Sequence, residues 1–174
     1  FYFSSIFDGG ERMGARKWDI RKDFTLHQSA ADLAVIEEAA YKKAKENPDI
    51  SIWKTINEPG SGGILNPVDN IEEMKKMVRC IAAARKGILR ANPKALVLTP
   101  DPANMYPTGG IRYIDTFLKA GGKDACDIVA IHPYRRRPES PDLDADTAAL
   151  LSILKKHSFT GDVWFTEGIY NQNY

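Results

Sequence analysis

The run ISIWKTINEPG, residues 50–60, is apolar for seven positions and then breaks into Asn57, Glu58, Pro59 and Gly60. A short continuous apolar run of this kind reads as a strand buried on both faces. Its end carries turn-forming residues, so Glu58 is either a solvated turn carboxylate or a reactive carboxyl held at a rigid strand tip. The segments on either side decide between the two.

Upstream, Leu33, Ile36, Ala40 and Ala44 recur at steps of three and four, which predicts a helix over residues 29–46 ended by Asn47-Pro48. Downstream, Ile71, Met74, Val78, Ile81 and Ile88 mark the inner stripe of a helix predicted over 67–90, with Pro67 in its first turn and Asn92-Pro93 as its stop. Further strands are predicted at 95–99, 127–134 and 162–168, with helices at 111–120 and 144–156 between them. The strand starts at Ile50, Ala95, Asp127 and Asp162 recur at about the length of one strand–helix unit. Alternating strands and helices mean an α/β domain with a parallel sheet. An open doubly wound sheet and an arc of a (β/α)₈ barrel both satisfy the pattern. No glycine-rich phosphate-binding motif follows any strand, which leaves the nucleotide-binding form of the open sheet without support.

The 174 residues suit one domain, and 43% hydrophobic with 27% charged residues is ordinary globular composition. A net charge of +1 gives no electrostatic reason to expect nucleic acid or an anionic membrane as partner. No apolar run reaches the ~18 residues a membrane-spanning helix needs. Cys80 and Cys126 lack metal-site or redox spacing and read as buried free thiols. The chain starts at Phe1 and stops soon after an apolar run, so it reads as a piece of a longer protein. Residues 1–6 read as the end of an earlier strand, and 7–26 as a loop in which Trp18 either stacks on a sugar ring or pins the loop.

In parallel α/β folds, chemistry sits at the carboxyl ends of the strands. Here those ends carry Asn57-Glu58-Pro59, Thr99-Pro100-Asp101, His132-Pro133-Tyr134 and Glu167-Gly168. Each alone has a structural explanation as a solvated strand end, a satisfied histidine or a turn cap. Ionisable groups at four successive tips are harder to explain that way. Two glutamates on one rim meet the requirement of glycoside hydrolysis, in which one carboxyl protonates the leaving oxygen and the other attacks the anomeric carbon or activates water.

With TINEPG (55–60) and VWFTEG (163–168) separated by two further strands, and IHPY (131–134) on the second of these, the sequence resembles the clan A glycoside hydrolases, retaining enzymes with a (β/α)₈ barrel. The resemblance runs from about residue 30 to 170. It implies a portion of a TIM barrel from about strand 3 or 4 to strand 7, a single incomplete domain over 1–174 that lacks about strands 1, 2 and 8. It implies a carbohydrate substrate with a β-linkage, and neither cofactor nor metal. Glu58 becomes the general acid/base, Glu167 the nucleophile and Asn57 the partner of the sugar 2-hydroxyl. Tyr134 becomes a hydrogen-bond partner of Glu167, and His132 the lining of the adjacent subsite. Asp101, Tyr106 and Trp18 complete the candidate sugar-binding set. The arginine and the aromatic platform that the family draws from strands two and eight have no counterpart in this sequence. An open barrel arc exposes apolar surface and raw edges, so the isolated piece is expected to be poorly stable and inactive. Two other readings stay open: a divalent-metal sugar isomerase using Glu58, Asp101, His132 and Glu167, and a carbohydrate-binding barrel without catalysis.

Overall fold

The computed structural model describes residues 4–5, 28–60, 66–134 and 142–168. Trp18, most of the first loop and the arginine run at 135–137 lie outside these residues. Strand and helix alternate as β1 (Ser4–Ser5), α1 (Ala30–Glu46), β2 (Ile52–Lys54), α2 (Ile71–Ala91), β3 (Leu96–Val97), α3 (Gly110–Lys119), β4 (Ile128–Ile131), α4 (Asp142–Lys156) and β5 (Asp162–Phe165). A 3-10 turn, Gly122–Ala125, joins α3 to β4.

All strand pairs are parallel: β1 with β2, β2 with β3, and β4 with β5. A parallel bridge from Leu98 to Ile128 connects β3 to β4. The spatial order of the described strands is therefore their sequence order, without the reversal that marks the switch point of a doubly wound sheet.

The strands are shorter than their apolar runs, and prolines interrupt the ladders at the tips of β3 and β4. Pro100, Pro102 and Pro133 have no N–H to donate. Backbone bonding resumes between them, from Glu58 N to Asp101 O at 3.1 Å, His132 N to Pro102 O at 3.2 Å and Thr166 N to Ile131 O at 3.3 Å. The polar strand tips are thus held by backbone contacts although they lie past the regular ladder.

Helix starts follow their caps. Ser29 and Asp32 form a reciprocal capping box at α1. At α2 the cap is Asn70, whose side chain accepts from the amides of Glu72 and Glu73, so the helix starts after the turn containing Pro67 and not at Pro67 itself.

β2 and β4 bury both faces, while Leu96 of β3 and Phe165 of β5 are exposed. Trp53, Val97, Val129 and Ile131 join the helices in one apolar cluster with Ile36, Met77, Ile81 and Phe117. On the opposite face Ile52, Leu98, Ile128 and Ala130 form a second cluster, flanked by Trp164. Cys80 and Cys126 are free and buried, and burial pushes their thiols up to about 11 and about 12. Near the amino ends of the strands, Asp127 accepts from the Val97 amide at 2.9 Å and from Arg85 of α2 at 2.7 Å, pinning β3 to β4.

Candidate active site

The second apolar face ends, toward the carboxyl tips, in polar residues. Alternation carries Ile52 to Lys54, Ala130 to His132 and Trp164 to Thr166 on the same side of their strands. Asp101 follows the break at Pro100 and is fully buried among them. A single oxygen, Asp101 Oδ2, accepts from three strands at once: Lys54 Nζ at 2.7 Å, His132 Nε2 at 3.0 Å and Thr166 Oγ1 at 3.0 Å. Charge-assisted bonds of this kind are what make a buried carboxylate tolerable.

Around this hub stand the two glutamates. His132 Nδ1 lies 3.0 Å from Glu58 Oε1, and its Nε2 lies 3.5 Å from Glu167 Oε1. Tyr134 donates its hydroxyl to Glu167 Oε2 at 3.1 Å. Lys54 Nζ reaches Asn57 Oδ1 at 2.8 Å and Glu167 Oε1 at 3.4 Å. One oxygen of Glu58, one ring nitrogen of His132 and one oxygen of Glu167 all lie within 4.8 Å of one another. The glutamate side chains are 26% and 41% exposed, so both carboxyls are open to a ligand at the rim.

Glu58 adopts a positive φ of 44°, in the left-handed region that residues with a Cβ avoid. Gly60, two residues on, has φ 95° and supplies the rest of the turn. A Glu in this conformation is held there by its surroundings, and the turn aims its carboxyl at His132.

His132 has a carboxylate oxygen at hydrogen-bond distance from each ring nitrogen, and an ionised carboxylate only accepts. The pair of contacts requires a proton on both nitrogens, or one proton moved onto a carboxyl. Burial alone opposes the charged ring, but the hydrogen bond and charge of Asp101, the hydrogen bond of Glu58 and the charge of Glu167 outweigh it, and His132 holds its proton above the ordinary histidine range. The Tyr134 hydroxyl is raised by burial first and then by its bond to Glu167 and the two glutamate charges, which keeps it a donor.

The structure thus brings together Asn57, Glu58, Asp101, His132, Tyr134 and Glu167. Asp101 and His132 are fully buried, so neither offers the surface for direct sugar contact expected of it; both stand behind the glutamates. Tyr106 is exposed on the loop after β3, where its backbone N–H donates to Asn104 and its carbonyl accepts from Gly109 and Ile111. Trp18 lies outside the described residues. Sequence reasoning missed Lys54 and Thr166. Lys54 had one signal, a lone cation inside an apolar strand run, where an unpaired lysine is expensive to bury.

Glu58, His132 and Glu167 are spaced so that they could also meet a metal ion. The donor set is already committed elsewhere: both nitrogens of His132 face carboxylates, and the Lys54 ammonium occupies the cation position beside Glu167 and Asp101. No described helix is long and apolar enough to cross a membrane.

Neither a protein-family model nor a curated protein sequence matches the chain. Among solved structures, it is similar to a glucosidase from Croceicoccus marinus, with a TM-score of 0.62 and 20% identity over 82% of this chain. It also matches Cel44A, a family 44 endoglucanase from Clostridium thermocellum, with a TM-score of 0.47 and 13% identity over 80% of this chain and 40% of that one. The chain spans 31% of the glucosidase's length. At this identity the first likeness concerns fold and not substrate: the chain is an α/β unit with the fold of part of a glycosidase.

Proposed function

We propose that this chain carries the catalytic rim of a retaining β-glycoside hydrolase, an arc of a (β/α)₈ barrel in which Glu58 and Glu167 work by double displacement. The convergence of the two carboxyls carries the reading. One oxygen of each carboxyl lies within 4.8 Å of the other, an approach that favours the ~5–5.5 Å separation of retaining enzymes. The unreversed parallel strand order and the likeness to a glucosidase support the barrel.

In the first step a Glu167 oxygen attacks the anomeric carbon. The bond to the leaving oxygen breaks, and Glu58 gives that oxygen a proton. In the second, the Glu58 carboxylate takes a proton from water as the water oxygen displaces Glu167 from the same carbon, which restores both groups and retains the configuration. His132 shares a proton with Glu58 and Asp101, and so stores the charge that Glu58 alternately gives and takes. Tyr134 orients Glu167 through Oε2, and Asn57 meets the 2-hydroxyl, where a bond that tightens in the transition state lowers the barrier.

The test is a panel of aryl β-glycosides hydrolysed by the intact protein, with the anomeric configuration of the first-formed product read by NMR. Retention is expected. Glu58→Gln should lose about 10²–10⁴-fold on alkyl leaving groups and far less on dinitrophenyl glycosides, whose leaving group needs no proton. Inversion would remove Glu167 as nucleophile. Sugar binding without turnover would leave a binding module, and activity abolished by a chelator would favour the metal-dependent isomerase reading.

A further inference from the structure

Lys54 has no role in the scheme above, yet it touches three of the site's residues. Its side chain is 10% exposed, and its three N–H bonds have three acceptors on three different strand tips: Asn57 Oδ1 at 2.8 Å, Asp101 Oδ2 at 2.7 Å and Glu167 Oε1 at 3.4 Å. An ammonium can only donate. The atom of Asn57 that faces it must therefore be the carbonyl oxygen, and the amide nitrogen is the end turned away. The orientation of this amide thus follows from the chemistry of its neighbour.

We propose that Lys54 is a positioning residue of the site: anchored by Asp101, it turns the Asn57 amide so that Nδ2 is presented to the ligand as a donor, and it fixes the Glu167 carboxylate beside it. The proposal deepens the two-glutamate reading and rests on it for its catalytic part. It specifies that the group at sugar position 2 is read as a hydrogen-bond acceptor. Without Lys54 the amide can rotate, so that its carbonyl faces the substrate oxygen in part of the population. His132 and Thr166 also bond to the same Asp101 oxygen, while Oδ1 has no hydrogen-bond partner among the described residues. A purely structural lysine would leave the discrimination at position 2 untouched.

The experiment compares Lys54→Met and Lys54→Gln with wild type in the intact protein, on an aryl β-glycoside and its 2-deoxy analogue. Removing one preorganised donor typically costs about 10²–10³ in kcat, and that loss is expected for Lys54→Met with KM changed less than about threefold. The preference for the 2-hydroxy over the 2-deoxy substrate should fall at least about tenfold. Lys54→Gln retains an N–H for Asn57 but no charge for Glu167. It should keep the preference while losing kcat, and it serves if the methionine variant does not fold. The side-chain amide of Asn57, observed by NMR in asparagine-labelled protein, gives a readout independent of turnover: its two N–H signals should shift toward those of a free amide in Lys54→Met. An active wild type whose methionine variant keeps both kcat and the preference for the 2-hydroxy substrate overturns the proposal and leaves the two-glutamate reading standing. If wild type hydrolyses no glycoside, that reading falls, and an unchanged Asn57 amide in Lys54→Met would take the positioning role with it.

Discussion

Glu58 sits at φ 44°, and a pair of substitutions isolates what that conformation costs. Glu58→Ala and Glu58→Gly both remove the carboxylate, its contact with His132 and its repulsion from Glu167. They differ only in whether a Cβ remains. The left-handed region costs a residue with a Cβ about 1–2 kcal/mol. Glycine gives back part of that, because its greater freedom in the unfolded chain costs about 0.5–1 kcal/mol. The glycine variant should therefore be more stable than the alanine variant by up to about 1.5 kcal/mol, the largest difference between those two ranges. At an ordinary helical or extended φ the same pair would differ by a similar amount in the opposite sense, so the sign alone decides. Urea unfolding of the two intact variants, compared at equal slope, reads it directly. An alanine variant as stable as the glycine variant, or more so, would refute a strained turn. Neither variant should protonate a poor leaving group, because the turn and the carboxylate are separable. The strained backbone is held in place by the surrounding fold.

Two further measurements bear on the framework. The pKa of His132 is raised on folding above the ordinary value of 6.5, so its stabilising charge is fully present below about 6.5 and is lost as pH rises through the folded value. Unfolding free energy should fall across that window in wild type and flatten in His132→Gln; a wild-type stability that rises through it would refute the assignment. Gly87 of α2 passes so close to α1 that an added Cβ would lie 2.0 Å from Glu37 O. Gly87→Ala should therefore destabilise by about 1–3 kcal/mol through overpacking, although helix propensity favours alanine by about 1 kcal/mol; a raised urea midpoint would show that the helices can separate without cost.

Much of this fold was legible because periodicity reports burial. The stripes Ile36–Ala40–Ala44 and Met74–Val78–Ile81 became the buried faces of α1 and α2, and the four apolar runs became the parallel strands β2 to β5. Strand lengths were not legible: only the run at 127–134 contains a proline that ends its ladder, and the other three strands stop short of runs that contain none. The start of α2 was misplaced because Pro67 and Asn70 are both good start signals, and only the asparagine's reach to the amides of Glu72 and Glu73 separates them. At the site, polar residues at four strand tips could be read as one rim without knowing which of them face solvent. Asp101 and His132 look like ligand-binding groups in sequence. Their burial is a property of how four tips pack, and no single segment encodes it. Lys54 was hidden for the reverse reason. In an apolar run it reads as an edge or an accident until its partner, 47 positions away at Asp101, is placed beside it.

That partnership explains how two glutamates can share so small a space. Two unit charges 4.8 Å apart repel by about 3–4 kcal/mol at an effective dielectric of 20, and by less where solvent reaches the rim. Asp101 adds a third carboxyl behind them, so the cluster would be untenable on its carboxyls alone. Lys54 and protonated His132 supply two cations, and each is shared: Lys54 between Asp101 and Glu167, His132 between Asp101 and Glu58. Asp101 is thus the common anchor of two cations: Lys54 faces Glu167, and His132 faces Glu58 and, at 3.5 Å, Glu167. The arrangement gives the glutamates unequal partners. Glu167 has an ammonium at 3.4 Å, a tyrosine hydroxyl that donates to it and His132 Nε2 at 3.5 Å, whereas Glu58 has His132 Nδ1 at 3.0 Å. A nucleophile needs the first environment and an acid/base the second. On the proposed reading, these surroundings suit Glu167 as the nucleophile and Glu58 as the acid/base.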